Sequence, residues 1–170
     1  MKYAQMRKFD VANGEGIRAT LFVSGCTRNC KGCFNRQYQN FDYGTLWDNK
    51  EEDKFIEYLK DSNVHGVTIL GGEPMDQTND DTIVKLISRI KDETQHSIWI
   101  YSGYEYESII NNLAQRRILE GCDVLVDGPF IEEQKDLNLK FRGSRNQRII
   151  DIKASISKGK VVLYRADIYS

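Results

Sequence analysis

The chain has 170 residues, with 24 lysines and arginines against 25 aspartates and glutamates and a formal net charge of −1. At that length a domain buries roughly 70 % of its unfolded surface, so residues 1–170 are expected to form one domain that needs no cofactor merely to stay folded. The balanced charge excludes a general attraction to nucleic acid or to acidic membranes, leaving room only for a local site.

The amino-terminal run "MKYAQMRKFD" carries no apolar core of the kind a secretory segment needs, and no apolar run approaches the roughly 20 residues that span a bilayer. A soluble, cytoplasmic protein is the expectation. From residue 18 onward, short β-rich runs alternate with stretches of helical period. "RATLFVSG" (18–25), "HGVTILGG" (65–72), "SIWIYSG" (97–103) and "CDVLVDG" (122–128) are predicted as strands. Between them, 50–62 sets Phe55, Ile56 and Leu59 on one helical face. A second helix over 78–94 carries Ile83, Ile87 and Ile90, with Thr78 or Asn79 as its cap. A third spans 104–120 with Ile109, Ile110, Leu113 and Leu119 facing the core. Two late runs, 148–156 and 160–166, read as a closing hairpin around Lys158-Gly159. The alternation predicts an α/β domain with a mainly parallel sheet.

Each predicted strand ends in a glycine-containing turn: Gly25-Cys26, Gly71-Gly72-Glu73-Pro74, Ser102-Gly103-Tyr104 and Asp127-Gly128-Pro129. In parallel α/β folds ligands sit at the carboxyl edge of the sheet, so these four loops are expected to converge. The first of them opens "SGCTRNCKGCF", which holds three of the four cysteines, Cys26, Cys30 and Cys33. Three clustered thiols cannot pair off as disulfides. They suit a structural zinc, which Cys122, His65 or His96 would have to complete, or an iron–sulfur cluster with one iron left open. Neither His65, before a strand, nor His96, after a polar turn, is placed like a catalytic base.

The spacing Cys26-x3-Cys30-x2-Cys33 resembles the signature of radical S-adenosylmethionine (SAM) enzymes, and "GGEP" (71–74) is similar to that superfamily's second motif. The resemblance implies a [4Fe–4S] cluster on Cys26, Cys30 and Cys33, whose fourth iron is chelated by the amino and carboxylate groups of SAM. Cys122 is then a buried small hydrophobe and not a ligand. Gly32 lets backbone pass close to the cluster, and Phe34 matches the position where an aromatic lies beside the adenine. Backbone at Gly71 and Gly72 suits the SAM ammonium. Glu73 either assists there or fixes its loop. Ser102 and Gly103 are candidates for a ribose or methionyl contact, against a plain turn.

Three longer stretches, "NGEGIRATLFVSGCTRNCKGCFN" (13–35), "VDGPF" (126–130) and "FRGSRNQRIIDI" (141–152), resemble the glycyl-radical activases, and within them the activating proteins of anaerobic ribonucleoside-triphosphate reductases. That likeness implies an abbreviated, partial βα barrel of radical SAM type, well below the roughly 250 residues of a full one. It also implies a reductase large subunit that presents a glycine loop, and a separate protein electron donor. Asp127 is either a cap within its turn or part of that function. Arg142, Arg145 and Arg148 are either a solvated face or carboxylate contacts. A radical SAM enzyme acting on a small purine-like substrate, as in deazapurine synthesis, and a non-enzymatic metal-binding or electron-transfer module are the rival readings.

Overall fold

A computed structural model describes residues 1–165. Seven strands form one sheet: β1 (Lys2–Asp10), β2 (Arg18–Val23), β3 (Thr45–Leu46), β4 (Gly66–Gly71), β5 (Ser97–Tyr101), β6 (Val124–Asp127) and β7 (Arg148–Asp151). Their order is β3-β1-β2-β4-β5-β6-β7. The three central pairings, β2·β4, β4·β5 and β5·β6, are parallel. The pairings β1·β2, β1·β3 and β6·β7 are antiparallel, so the sheet is mixed and parallel only in its middle. Among the described residues nothing joins β3 to β7, and the sheet stays open.

Side chains alternate along the central strands, and both faces are buried. Ala19, Leu21 and Val23 of β2, Val67 and Ile69 of β4, and Ile98 and Ile100 of β5 point to the helices. They meet Phe55, Ile56 and Leu59 of α1 (Asn49–Leu59) and Ile83, Leu86, Ile87 and Ile90 of α2 (Thr82–Glu93). Each such side chain contributes about 1.5–3 kcal/mol by leaving water. The other face carries Phe22, Leu70, Trp99, Val124 and Val126. Chain from 11–17 and from 130–145 covers that face: the Thr68 hydroxyl donates to Asn13 O at 2.6 Å, and Phe141 packs edge-on to Trp99. At the amino edge of the parallel strands buried Arg18 ties three of them together, donating to Thr68 Oγ1, Val67 O and Ser97 O.

Four local expectations are corrected. The strand β1 goes unpredicted because it has no alternating apolar pattern; only Tyr3 and Asp10 within it are buried. The predicted third helix is two, α3 (Tyr106–Ile110) and α4 (Leu113–Glu120), since the Asn112 side chain accepts from Gln115 N–H and starts a new helix there. Leu113, at the first turn of α4, is 84 % exposed and not on the core face. At the start of α2 it is Asp80, not Thr78 or Asn79, that accepts from the first amide, Thr82 N–H, at 3.0 Å. The closing hairpin is replaced by β7 followed by α5 (Ile152–Lys158), because Asp151 accepts from Ala154 N–H and caps a helix. Left-handed Gly159 (φ +68°) ends that helix, and the returning chain meets β7 at one bridge, Ile150 with Leu163. Ala166, the end of the predicted second arm, lies outside the described residues.

Candidate iron–sulfur site

The four strand-end loops do converge. They line a cavity of about 480 Å³ at the carboxyl edge of the sheet, with Cys26, Cys30, Cys33, Gly71, Gly72, Glu73, Ser102, Gly103 and Gly128 on its wall. The cysteine loop leaves β2 and is closed at its base by two backbone hydrogen bonds, Gly25 N–H to Tyr38 O at 2.7 Å and Cys26 N–H to Gln39 O at 3.0 Å. The loop then lies directly on the turn after β4. A side chain at Gly72 would put Cβ 2.6 Å from both Gly25 O and Tyr38 O, and Gly71 holds φ +111° with Val23 O 2.5 Å from its would-be Cβ. Only glycine admits that approach. The double glycine of "GGEP" thus seats the cysteine loop, a role beyond the ligand binding that its sequence suggests.

All three thiols of the loop are partly exposed, and none is in a disulfide. Cys26 Sγ accepts the Arg28 N–H at 3.4 Å. Burial pushes the Cys26 thiol above its ordinary range, partly offset by that amide. Gly32, between Cys30 and Cys33, adopts φ +74° and packs on Glu132. Cys122 lies elsewhere: it precedes β6, at the opposite edge of the sheet, wholly buried in the helical-face core, with Sγ 3.5 Å from Ile118 O. His96 is also removed from the cavity, its Nε2 2.8 Å from Leu59 O. A zinc closed by Cys122 or His96 is therefore excluded by position. Among the described residues no three His, Cys, Asp or Glu side chains converge tightly enough for a single ion. The fit to a cluster rests on donor chemistry: three thiols, the soft ligands that iron–sulfur clusters take, on the wall of one cavity.

Glu73 is almost fully buried and fixes its loop. Its Oε2 accepts from Met75 N–H at 3.0 Å and from the Ser102 hydroxyl at 2.8 Å, and its Oε1 from Gly103 N–H at 2.7 Å. Burial nevertheless pushes its pKa up to about 7. The Ser102 hydroxyl, accepting in addition from Tyr104 N–H at 3.0 Å, is engaged in the same joint. Phe34 is 56 % exposed on the cavity wall, 4.8 Å from the Phe130 ring centroid, and is no part of the core.

The two late motifs are each other's partners. Buried Asp127 of "VDGPF" receives Arg148 through Nε at 3.0 Å and Nη2 at 2.6 Å, and its Oδ2 also accepts the first amide of α3, Tyr106 N–H, at 2.7 Å. Gln147 donates to Gly128 O at 3.0 Å and Asn146 to Pro129 O at 2.7 Å. Arg148 is thus engaged within the chain and not a free solvated charge: its Nη1 and Nη2 also donate to Glu107. Arg142 stands on the cavity wall with Nη1 donating to Gln147 O, and Arg145 is exposed. Sequence reasoning missed Arg28, Asp76 and Tyr104, which meet in this site; an arginine inside a cysteine loop was the available signal.

Three thiols in one cleft at the carboxyl edge of the central parallel strands define the class, an iron–sulfur domain, and residues 12–150 match the family model described as a 4Fe-4S single cluster domain. Curated relatives named anaerobic ribonucleoside-triphosphate reductase-activating protein align over most of the chain. The Haemophilus influenzae protein is 43 % identical over 88 % of this chain and 97 % of its own length. That of Escherichia coli K12 is 38 % identical over 86 % and 96 %, and that of Enterobacteria phage T4 35 % over 88 % and 93 %. The chain belongs to the family of anaerobic ribonucleoside-triphosphate reductase-activating proteins.

Proposed function

We propose that this chain binds a [4Fe–4S] cluster through Cys26, Cys30 and Cys33, cleaves SAM reductively, and thereby places a radical on a glycine of an anaerobic ribonucleoside-triphosphate reductase. The observation that carries this reading is the shared cavity: three thiols and Gly71-Gly72 line one space. When bound, cluster and SAM supply the electron transfer and carbon–sulfur cleavage that yield a radical able to take hydrogen from glycine.

The chain's own residues do the holding. Gly71 and Gly72 bring backbone polar groups to the cavity beside the thiols. Glu73, bonded to Ser102 and Gly103, locks the turns after β4 and β5 in one arrangement, so that a ligand finds the site formed rather than having to order it. Phe34 and Phe130 offer an aromatic shelf for the adenine at the cavity mouth. No lid closes over the thiols among the described residues, which suits a site completed by the reductase, whose docking would exclude water. The open mixed sheet serves as the abbreviated barrel. Electrons come from a separate protein, since no second cysteine cluster exists in the sequence. The reading puts the chain in the cytoplasm, beside its reductase. No helix among the described residues is long and apolar enough to cross a membrane.

The test is anaerobic reconstitution. About four irons per chain are expected for such a cluster, with a paramagnetic resonance spectrum that changes on adding SAM, and a glycyl radical once the reductase is present. Cys26→Ala, Cys30→Ala and Cys33→Ala should each abolish the iron, and Cys122→Ala should retain it. Iron loss in the Cys122 variant, or turnover of a purine-like small molecule with no radical on the reductase, would overturn the reading.

A further inference from the structure

Arg28 is the one arginine within the cysteine loop, and its side chain is clamped. Stem and Nε lie against Gly103, where a Cβ would fall 2.6 Å from Cδ and 2.7 Å from Nε. The guanidinium carbon stands 4.6 Å from the centroid of the Tyr104 ring. Tyr104 is itself fixed, its hydroxyl donating to Asp76 Oδ1 at 2.6 Å. The other oxygen of that carboxylate accepts from the backbone and the hydroxyl of Thr27, both at 2.9 Å. Three loops thus combine to hold one cation on the wall of the cavity that the thiols line.

The hydrogen bonding of that cation is incomplete. Among the described residues the Arg28 Nε–H is buried and reaches no acceptor. Of the other arginines on the wall, Arg7 donates to Gln5 Oε1 and lies 3.8 Å from Asp10. Arg142 also has a buried Nε without an acceptor among the described residues, but its Nη1 donates to Gln147 O, whereas the Arg28 guanidinium is held only by packing and the Tyr104 ring. A buried charged donor without an acceptor is costly, and native structures keep such groups where something else satisfies them. A planar guanidinium is matched best by a carboxylate.

We infer that Arg28 receives the carboxylate of the ligand bound beside the three thiols, with Tyr104 as its positioning residue. The inference rests on the SAM reading above, in which the methionyl carboxylate is the ligand's one anionic group. A carboxylate has two oxygens and about four lone-pair sites, so an iron and a guanidinium can share it. Tyr104 acts by holding the guanidinium plane through its ring, which is anchored in turn by Asp76.

The experiment measures ligand affinity on the reconstituted full-length protein by equilibrium dialysis, with SAM and with 5′-methylthioadenosine, which keeps the adenosyl group and lacks the whole aminocarboxypropyl chain and the sulfonium charge. Arg28→Gln should lose about ten- to a hundredfold in affinity for SAM, the range of one charged hydrogen-bonded contact, and nothing for methylthioadenosine. Arg28→Lys, which keeps charge and stem, should fall between, and Tyr104→Leu should weaken SAM alone. Iron content should be unchanged throughout; should Arg28→Gln fail to hold iron, Arg28→Lys decides. Unchanged SAM affinity overturns the inference, and so do equal losses for both ligands, which would put Arg28 at the nucleoside. Wild-type protein that holds four irons and binds no SAM is a separate result, and it removes the SAM reading itself.

Discussion

At Glu73 burial and hydrogen bonding pull in opposite directions. Three donors favour the carboxylate, yet desolvation prevails and lifts its pKa from an ordinary 4.5 to about 7. Between those values the folded chain binds more protons than the unfolded one, so stability declines as pH rises from 4.5 to 7 and levels off above it. Across that window the loss amounts to about 3 kcal/mol, since a proton held by the folded chain alone is worth about 1.4 kcal/mol for each pH unit crossed. Glu73→Gln, which removes the titrating group and keeps an acceptor for one of the two amides, should flatten that decline in urea midpoints measured across the window. A decline of equal size in the variant would assign it to other groups. The residue type left two roles open for Glu73, and three bond lengths decide for the loop-fixing one. Phe34, a residue type most often buried, is set apart from the core by its exposure on the cavity wall. Arg28 was not legible at all, because its meaning lies in Gly103 and Tyr104, some 75 positions away in the chain.

Among the elements, the joint between the end of β6 and the start of β7 makes the sharpest prediction. Asp127→Asn keeps one oxygen for Tyr106 N–H and Arg148 Nη2 but removes the buried charge opposite Arg148 and the acceptor of its Nε–H. Because Arg148 is about one-third exposed, solvent softens the cost, and about 1–3 kcal/mol is expected in chemical denaturation. Glu107→Gln, on the exposed arm of the same arginine, should cost under about 1 kcal/mol. Equal costs would remove Asp127 as the centre of the joint. That "VDGPF" and "FRGSRNQRIIDI" clasp each other could not be read from either, since a turn aspartate and an arginine cluster are each common alone. The central strands and both long helices were legible because burial on two faces writes itself as apolar runs and 3.6-residue periods. Polar edge strand β1 and the paired asparagines that split α3 from α4 leave no such mark; hydrogen bonds, and not apolar burial, determine them.

At the scale of the molecule, the proposed reading brings the partner's glycine loop to the cavity mouth. Arg145 is exposed on the turn that frames this mouth, in the position of a rim charge. Arg145→Glu should lower glycyl-radical yield on the reductase at low salt, and the deficit should shrink as salt is raised. Cleavage of SAM without the reductase should be unaffected. A deficit independent of salt would place Arg145 in a buried contact instead.

The helical-face core contains Cys122 and none of the three loop cysteines, and the base of the cysteine loop is closed by backbone bonds from Gly25 and Cys26 to Tyr38 and Gln39. Folding therefore does not run through the metal, in contrast to small zinc domains that unfold without it. Stripping the iron by oxidation and chelation should leave the far-ultraviolet circular dichroism unchanged, and the same protein should take up iron and sulfide again without a denaturation step. Collapse of the helical signal on stripping would contradict this. For a protein of anaerobic metabolism that meets air, the distinction decides its fate. If the stripped chain keeps its fold, the cluster is a replaceable part, and its loss is expected to leave an empty holder ready to be filled again.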